Sequence, residues 1–236
     1  MRLVAIHGLG CAASQGWPRV AAALAPEHEL VALPLVGADG PTLAPPDAWG
    51  VLAQSERLVA HVRPTDVLVG HSMGGTIATR VAQRVAPRAL VLIEPHVIPR
   101  AGFVVRPTLD LRPAPSPDVL AAYLRRFESI DTGEGGYDKW IARWDWRVFR
   151  RMSEELAAGD RGTPSWTEAL ASFHFPVHVV WGGASDDPGE DHHAEALRKI
   201  GFPFHVVQGS KHFIPSEAPE GLAQTLRDIV ARLTKP

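Results

Sequence analysis

The chain has one cysteine, Cys11, in 236 residues, which leaves no internal disulfide framework to build. It also lacks an excess of charge, with 24 Lys and Arg against 26 Asp and Glu. Such a balance gives no global basic field of the kind that draws a protein to nucleic acid, and there is no acidic tail. No apolar run approaches the roughly 20 residues needed to cross a bilayer. Met1 to Leu9 also lack the basic segment and long apolar stretch of a leader peptide. These absences predict a reduced, cytoplasmic protein that binds neither nucleic acid nor membrane and acts on a small molecule. No G-x-G-x-x-G or P-loop sequence occurs, so a nucleotide has no visible seat and no cofactor is expected.

What the sequence does hold is a series of short apolar runs: Leu3 to Ile6, Glu29 to Leu33, Asp66 to Gly70, Ala89 to Ile93, Val177 to Trp181 and Phe204 to Gln208. They are nearly continuous rather than alternating, the pattern of strands buried on both faces of a parallel sheet. Helical patterns lie between them at Trp17 to Leu24, Trp49 to His61, Met73 to Val85, His192 to Ile200 and Glu217 to Leu233. Strand and helix in alternation predict a doubly wound α/β fold in one large domain.

The alternation breaks between Glu94 and Phe175. There Tyr137, Trp140, Ile141, Trp144, Val148, Met152 and Leu156 recur in steps of three and four, one apolar helical face. A helical insertion after the fourth strand would lie over the crevice where open α/β sheets bind ligands. The expected division is therefore a core of residues 1–97 and 172–236, with residues 98–171 as a helical cap. Trp140 and Trp144 are its candidate substrate contacts, though packing is the commoner use of such a stripe.

The densest signal is "VLVGHSMGGTIATR", Val67 to Arg80, where Ser72 ends an apolar run among Gly70, Gly74 and Gly75. At a sharp strand-to-helix turn the serine backbone is strained, and a neighbour with a Cβ would clash with the elements that pinch it. The hydroxyl is left exposed at the positive end of a helix. This G-x-S-x-G elbow resembles the nucleophile turn of the α/β-hydrolase superfamily, and the resemblance runs over the whole chain except the details of the cap. It implies a hydrolase fold of about six mostly parallel strands, without the N-terminal hairpin that most relatives carry.

The resemblance also implies partners for Ser72, since a serine hydroxyl needs an adjacent base held by a carboxylate. "QGSKHFIPSEAPEGL" looks like the family's histidine loop and makes His212 the base. For the acid, "VVWGGASDDPGED" offers Asp186, the residue after the serine of the family's loop, with Asp187 beside it. Glu94, after the fourth strand, is a further option that some members use. The oxyanion donors would be the N–H groups of Met73 and Leu9, the latter following His7-Gly8 at the end of the first strand. "PLVGADGPTLAPPD" departs from the more regular loop of relatives, which weakens inherited ideas of substrate at that wall.

The expected reaction is hydrolysis of a carboxylic ester, thioester or lactone through an acyl-enzyme on Ser72. A lyase, C–C bond hydrolase or cofactor-free oxygenase using the same three groups is the alternative, and a non-catalytic binder a further one. Lys139, Arg143, Arg147, Arg150 and Arg151 form a basic stretch in the cap. It reads either as a solvated face or as a docking point for a carrier protein or a coenzyme A phosphate. The run of Asp186, Asp187, Glu190, Asp191, His192 and His193 has the composition of a metal site. Its spacing fits acids capping a helix better, and no metal is expected.

Overall fold

The computed structural model describes residues 1–96, 104–158, 166–185 and 191–234. Its six strands are β1 (Arg2–Ile6), β2 (Glu29–Leu33), β3 (Val67–His71), β4 (Ala89–Ile93), β5 (Val177–Gly182) and β6 (Phe204–Val207). They form one sheet in the order β2-β1-β3-β4-β5-β6, and every neighbouring pair is parallel.

The continuous apolar runs have the cause that the sequence suggests. Helices α1 (Trp17–Leu24) and α11 (Pro219–Leu233) cover one face, where Trp17, Val20, Leu222 and Leu226 pack on Leu3, Val67, Val69 and Val91. Helices α2 (Val51–Val59), α3 (Met73–Val85) and α9 (Asp191–Ile200) cover the other, where Leu58, Ile77 and Leu197 meet Val4, Leu68, Leu90 and Leu92. Strands β3 and β4 are buried at every residue, while the outer strands β2 and β6 are partly open.

After β1 the chain adds β2 on one side and then returns to add β3 on the other. This reversal opens a crevice outside the carboxyl ends of β1 and β3, the place where such sheets bind ligands. The loops after β1, β3, β4, β5 and β6 converge there.

The interval between β4 and β5 is helical. It holds α4 (Val105–Leu109), α5 (Pro117–Leu124), α6 (Tyr137–Ile141), α7 (Trp146–Ala158) and α8 (Trp166–Ala171). The apolar face from Tyr137 to Leu156 is not one helix but two, α6 and α7, and Asp145 makes the break. Its N–H is drawn away to the Gly37 carbonyl at 2.8 Å, and its carboxylate accepts the Arg147 N–H at 3.0 Å in the manner of an N-cap. The periodicity survives because Trp144 closes a turn onto the Ile141 carbonyl at 3.0 Å. The expected closing helix from Glu217 to Leu233 is present as α11, which Pro219 opens two residues later, after the short α10 (Ile214–Glu217).

Candidate active site

Ser72 sits between the end of β3 and the start of α3 with φ 54° and ψ −123°, a backbone conformation costly for any residue with a Cβ. Hydrogen bonds hold it there. Its N–H donates to the Ile93 carbonyl at 2.9 Å, and its own carbonyl accepts from Gly75 at 2.8 Å and His96 at 3.1 Å.

Each of the three surrounding glycines answers a different neighbour. A Cβ on Gly70 would stand 2.5 Å from the Gly74 carbonyl oxygen and 2.7 Å from Gly75 Cα. On Gly74 it would strike the carbonyls of Ile6 and His7, and on Gly75 it would lie 2.6 Å from Pro95 Cβ. The glycines thus let α3 press against its own strand, against β1 and against the loop after β4. Gly8 has the same function from the opposite wall, since its Cβ would come 3.1 Å from Ser72 Cβ.

The candidate base, His212, meets a buried carboxylate. Its Nδ1 lies 3.1 Å from Glu94 Oε2, and Glu94 is wholly buried. Two more donors converge on that carboxylate: the Gly182 N–H reaches Oε1 at 2.7 Å and the Ser185 hydroxyl reaches Oε2 at 2.9 Å. Three such partners fix the direction of this buried carboxylate. Glu94 has φ 39°, so the chain turns sharply at the end of β4 and aims the side chain at the loop after β6.

Among the described residues the carboxyl group against His212 is that of Glu94, the further option of the sequence reading. Ser185, the residue before Asp186, supports Glu94 with its hydroxyl. Asp186 and its alternate Asp187 lie outside the described residues.

Met73 opens α3, so its N–H belongs to the first turn, whose donors have no partner within the helix. Leu9 is fixed across the crevice by its carbonyl, which accepts the Tyr137 hydroxyl at 2.6 Å. His7 proves to be a brace. Its Nδ1–H donates to the Gly8 carbonyl at 3.0 Å, and Nε2 accepts the Leu35 N–H at 3.3 Å. Burial pushes its pKa down to about 4, so it holds these loops as a neutral ring.

His71 is a functional neighbour that sequence reasoning passed over, although it stands inside the elbow motif. Its Nε2–H donates to the His212 carbonyl at 2.8 Å and ties the histidine loop to β3. Burial drives its pKa down to about 3, with the charge of His212 adding to the effect.

The cap's aromatic residues meet the loop after β1. Trp144 Nε1–H donates to the Cys11 carbonyl at 2.9 Å, and its ring stands edge-on to His7 with centroids 5.9 Å apart. Trp140 stands edge-on to Phe213, the residue after His212, at 5.7 Å. Tyr137 packs on the same phenylalanine at 4.9 Å. Cys11 is buried among these groups, and burial pushes its thiol up to about 12.

In the basic stretch from Lys139 to Arg151, four residues pair with acids of the chain. Arg143 pairs with Asp39 at 2.6 Å, Arg147 with Asp145 at 2.6 Å, Arg150 with Glu154 at 3.0 Å and Arg151 with Glu155 at 3.0 Å. Arg147, Arg150 and Arg151 line a cleft of about 630 Å³ with Trp49 and Leu52, and neither Ser72 nor His212 borders it. Among the described residues no group of three or more His, Cys, Asp or Glu is placed to hold a metal ion, and no helix is long and apolar enough to cross a membrane. The acidic run's Asp186, Asp187 and Glu190 fall outside them.

Comparison with solved structures finds the same architecture at low identity. An esterase from Thermogutta terrifontis shares 19% identity with a TM-score of 0.75, over 100% of this chain and 91% of that one. A carboxylesterase from Nitrososphaera gargenis gives 18% identity and a TM-score of 0.75 over 99% and 90%. The N-acyl homoserine lactonase AidH, complexed with N-butanoyl homoserine, gives 19% and 0.70 over 100% and 90%. No curated protein matches by sequence. A family model described as the alpha/beta hydrolase family matches residues 3–225, and with the six-stranded parallel sheet in agreement the chain belongs to that family.

Proposed function

We propose that the protein hydrolyses a carboxylic ester, thioester or lactone through an acyl-enzyme on Ser72, with His212 as base and Glu94 as the carboxylate behind it. The observation that carries this reading is the 3.1 Å contact of His212 Nδ1 with the buried Glu94 carboxylate, in the same crevice as the strained Ser72. The esterases and the lactonase among the structural relatives agree with it in reaction class.

In this mechanism Ser72 Oγ attacks the acyl carbon while His212 Nε2 takes the hydroxyl proton. The carbonyl oxygen becomes an anion and is met by the N–H groups of Met73 and Leu9, donors set before the reaction begins. As the tetrahedral intermediate collapses, His212 returns the proton to the departing alcohol or thiol. Water then repeats the attack on the acyl-enzyme, giving its proton to His212 and releasing the carboxylic acid and free Ser72. Glu94 accepts Nδ1–H throughout, which keeps Nε2 facing the serine and stabilises the imidazolium.

The partner in this reading is a small acyl substrate. The paired arginines of the cap give no separate support to a carrier protein or a coenzyme A donor, and the proposal does not need one. Trp140 and Trp144 act here through the loop they hold. The test is covalent capture: a serine-directed fluorophosphonate should label the chain stoichiometrically, with mass spectrometry placing the adduct on Ser72 and none forming in Ser72→Ala. An adduct elsewhere, or none, would overturn the assignment.

A further inference from the structure

We infer that Glu217 is a positioning residue for His212, a second carboxylate that fixes the loop carrying the base and adds to the negative charge around its imidazole. The inference rests on the reading of His212 as the base. Glu217 Oε2 accepts the Lys211 N–H at 2.6 Å, a short charge-assisted bond to the residue just before His212. On the other side, the His212 carbonyl accepts from His71 Nε2 at 2.8 Å. The base is thus clamped through its own backbone and its neighbour's, while Glu94 holds its ring at Nδ1.

Burial lifts the Glu217 carboxyl above its usual range, the Lys211 N–H and the charge of His212 pull it back, and the charge of Glu94 pushes it up. The two carboxylates and the imidazole therefore sense one another. Glu217 also lines a groove of about 510 Å³ with Ser129, Asp131 and Lys211, and lies half-buried in its wall. Among the described residues, the charged or titratable groups acting on His212 are Glu94 from β4, Glu217 from α10, Lys211 from its own loop, His71 from β3 and His96 after β4. Burial keeps the two histidines neutral, so among these described groups the carboxylates stand against Lys211.

An anion near the imidazole favours its protonated form, so removing the charge should make His212 lose its proton at lower pH. Glu217→Gln separates this effect from loop support, because its amide oxygen can still accept the Lys211 N–H. With p-nitrophenyl acetate, the midpoint of the acidic limb of kcat/KM should move down by about 0.5 to 1 pH unit in Glu217→Gln, with the plateau within about tenfold of wild type. Glu217→Ala should show the same displacement and a deeper loss of kcat. Titration of the His212 ring by NMR gives the same displacement without turnover, so it reads Glu217 even if the chain cleaves no ester. A His212 midpoint unchanged in Glu217→Gln, by rate or by NMR, would overturn the inference and leave Glu217 as a loop fastener only.

Discussion

At the scale of the residue, the elbow was legible because it requires something no other stretch needs: a Cβ-free neighbour in three directions around one strained serine. Each glycine of "GHSMGG" meets a different wall, and only a close-packed turn would demand all three. The carboxylate was less legible. Asp186 follows a strand and a serine as the family pattern asks, whereas Glu94 looks like the ordinary end of an apolar run. What brings Glu94 to His212 is the left-handed turn at Glu94 together with a side chain long enough to cross from β4 to the loop after β6. No residue near Glu94 in the sequence announces either feature, since Gly182, Ser185 and His212 come from more than 80 positions further on. The bracing by His7 was equally hidden, because a motif records neighbours along the chain but not the Leu35 N–H that holds its ring.

At the scale of the element, strands and core helices were readable from runs and spacing, since burial on both faces writes itself as continuous apolar sequence. The cap was readable as helical, but not where it breaks, because Asp145 breaks it through the distant Gly37 and Thr42. Its aromatic stripe fastens to the loop after β1 through Tyr137 to Leu9 and Trp144 to Cys11. Since Leu9 supplies an oxyanion donor in the proposed mechanism, loosening these fasteners should reduce kcat more than it raises KM. Tyr137→Phe and Trp144→Phe each keep an aromatic ring and remove the hydrogen bond. Each should lower kcat on p-nitrophenyl acetate by about tenfold, short of the larger loss from deleting a donor outright. Steady-state kinetics giving wild-type kcat with a raised KM would place these residues at the substrate instead.

At the scale of the molecule, the fold has buried several imidazoles that it keeps neutral. Burial lowers His7, His96 and His178 to about 4 and His71 to about 3. Nearby positive charge adds to the effect at His178, where His205 and Arg232 press on the ring. In the unfolded chain these rings take up protons near pH 6.5, and in the fold they do so only near 4 or below. The unfolded state therefore gains protons first as pH falls, and stability drains away between about pH 6.5 and 4. Calorimetry should show the melting temperature falling by about 5 °C or more from pH 7.5 to 5. A flat profile over that range would mean that these histidines are solvated rather than enclosed.

The account turns on which carboxylate serves His212, and kcat/KM of two variants measured side by side tests it most directly. Glu94→Gln should lose on the order of 10³ to 10⁴ in kcat/KM by removing the charge behind the imidazole. Asp186→Asn should stay within about tenfold of wild type. A large loss in Asp186→Asn with Glu94→Gln nearly intact would contradict the arrangement of Ser72, His212 and Glu94.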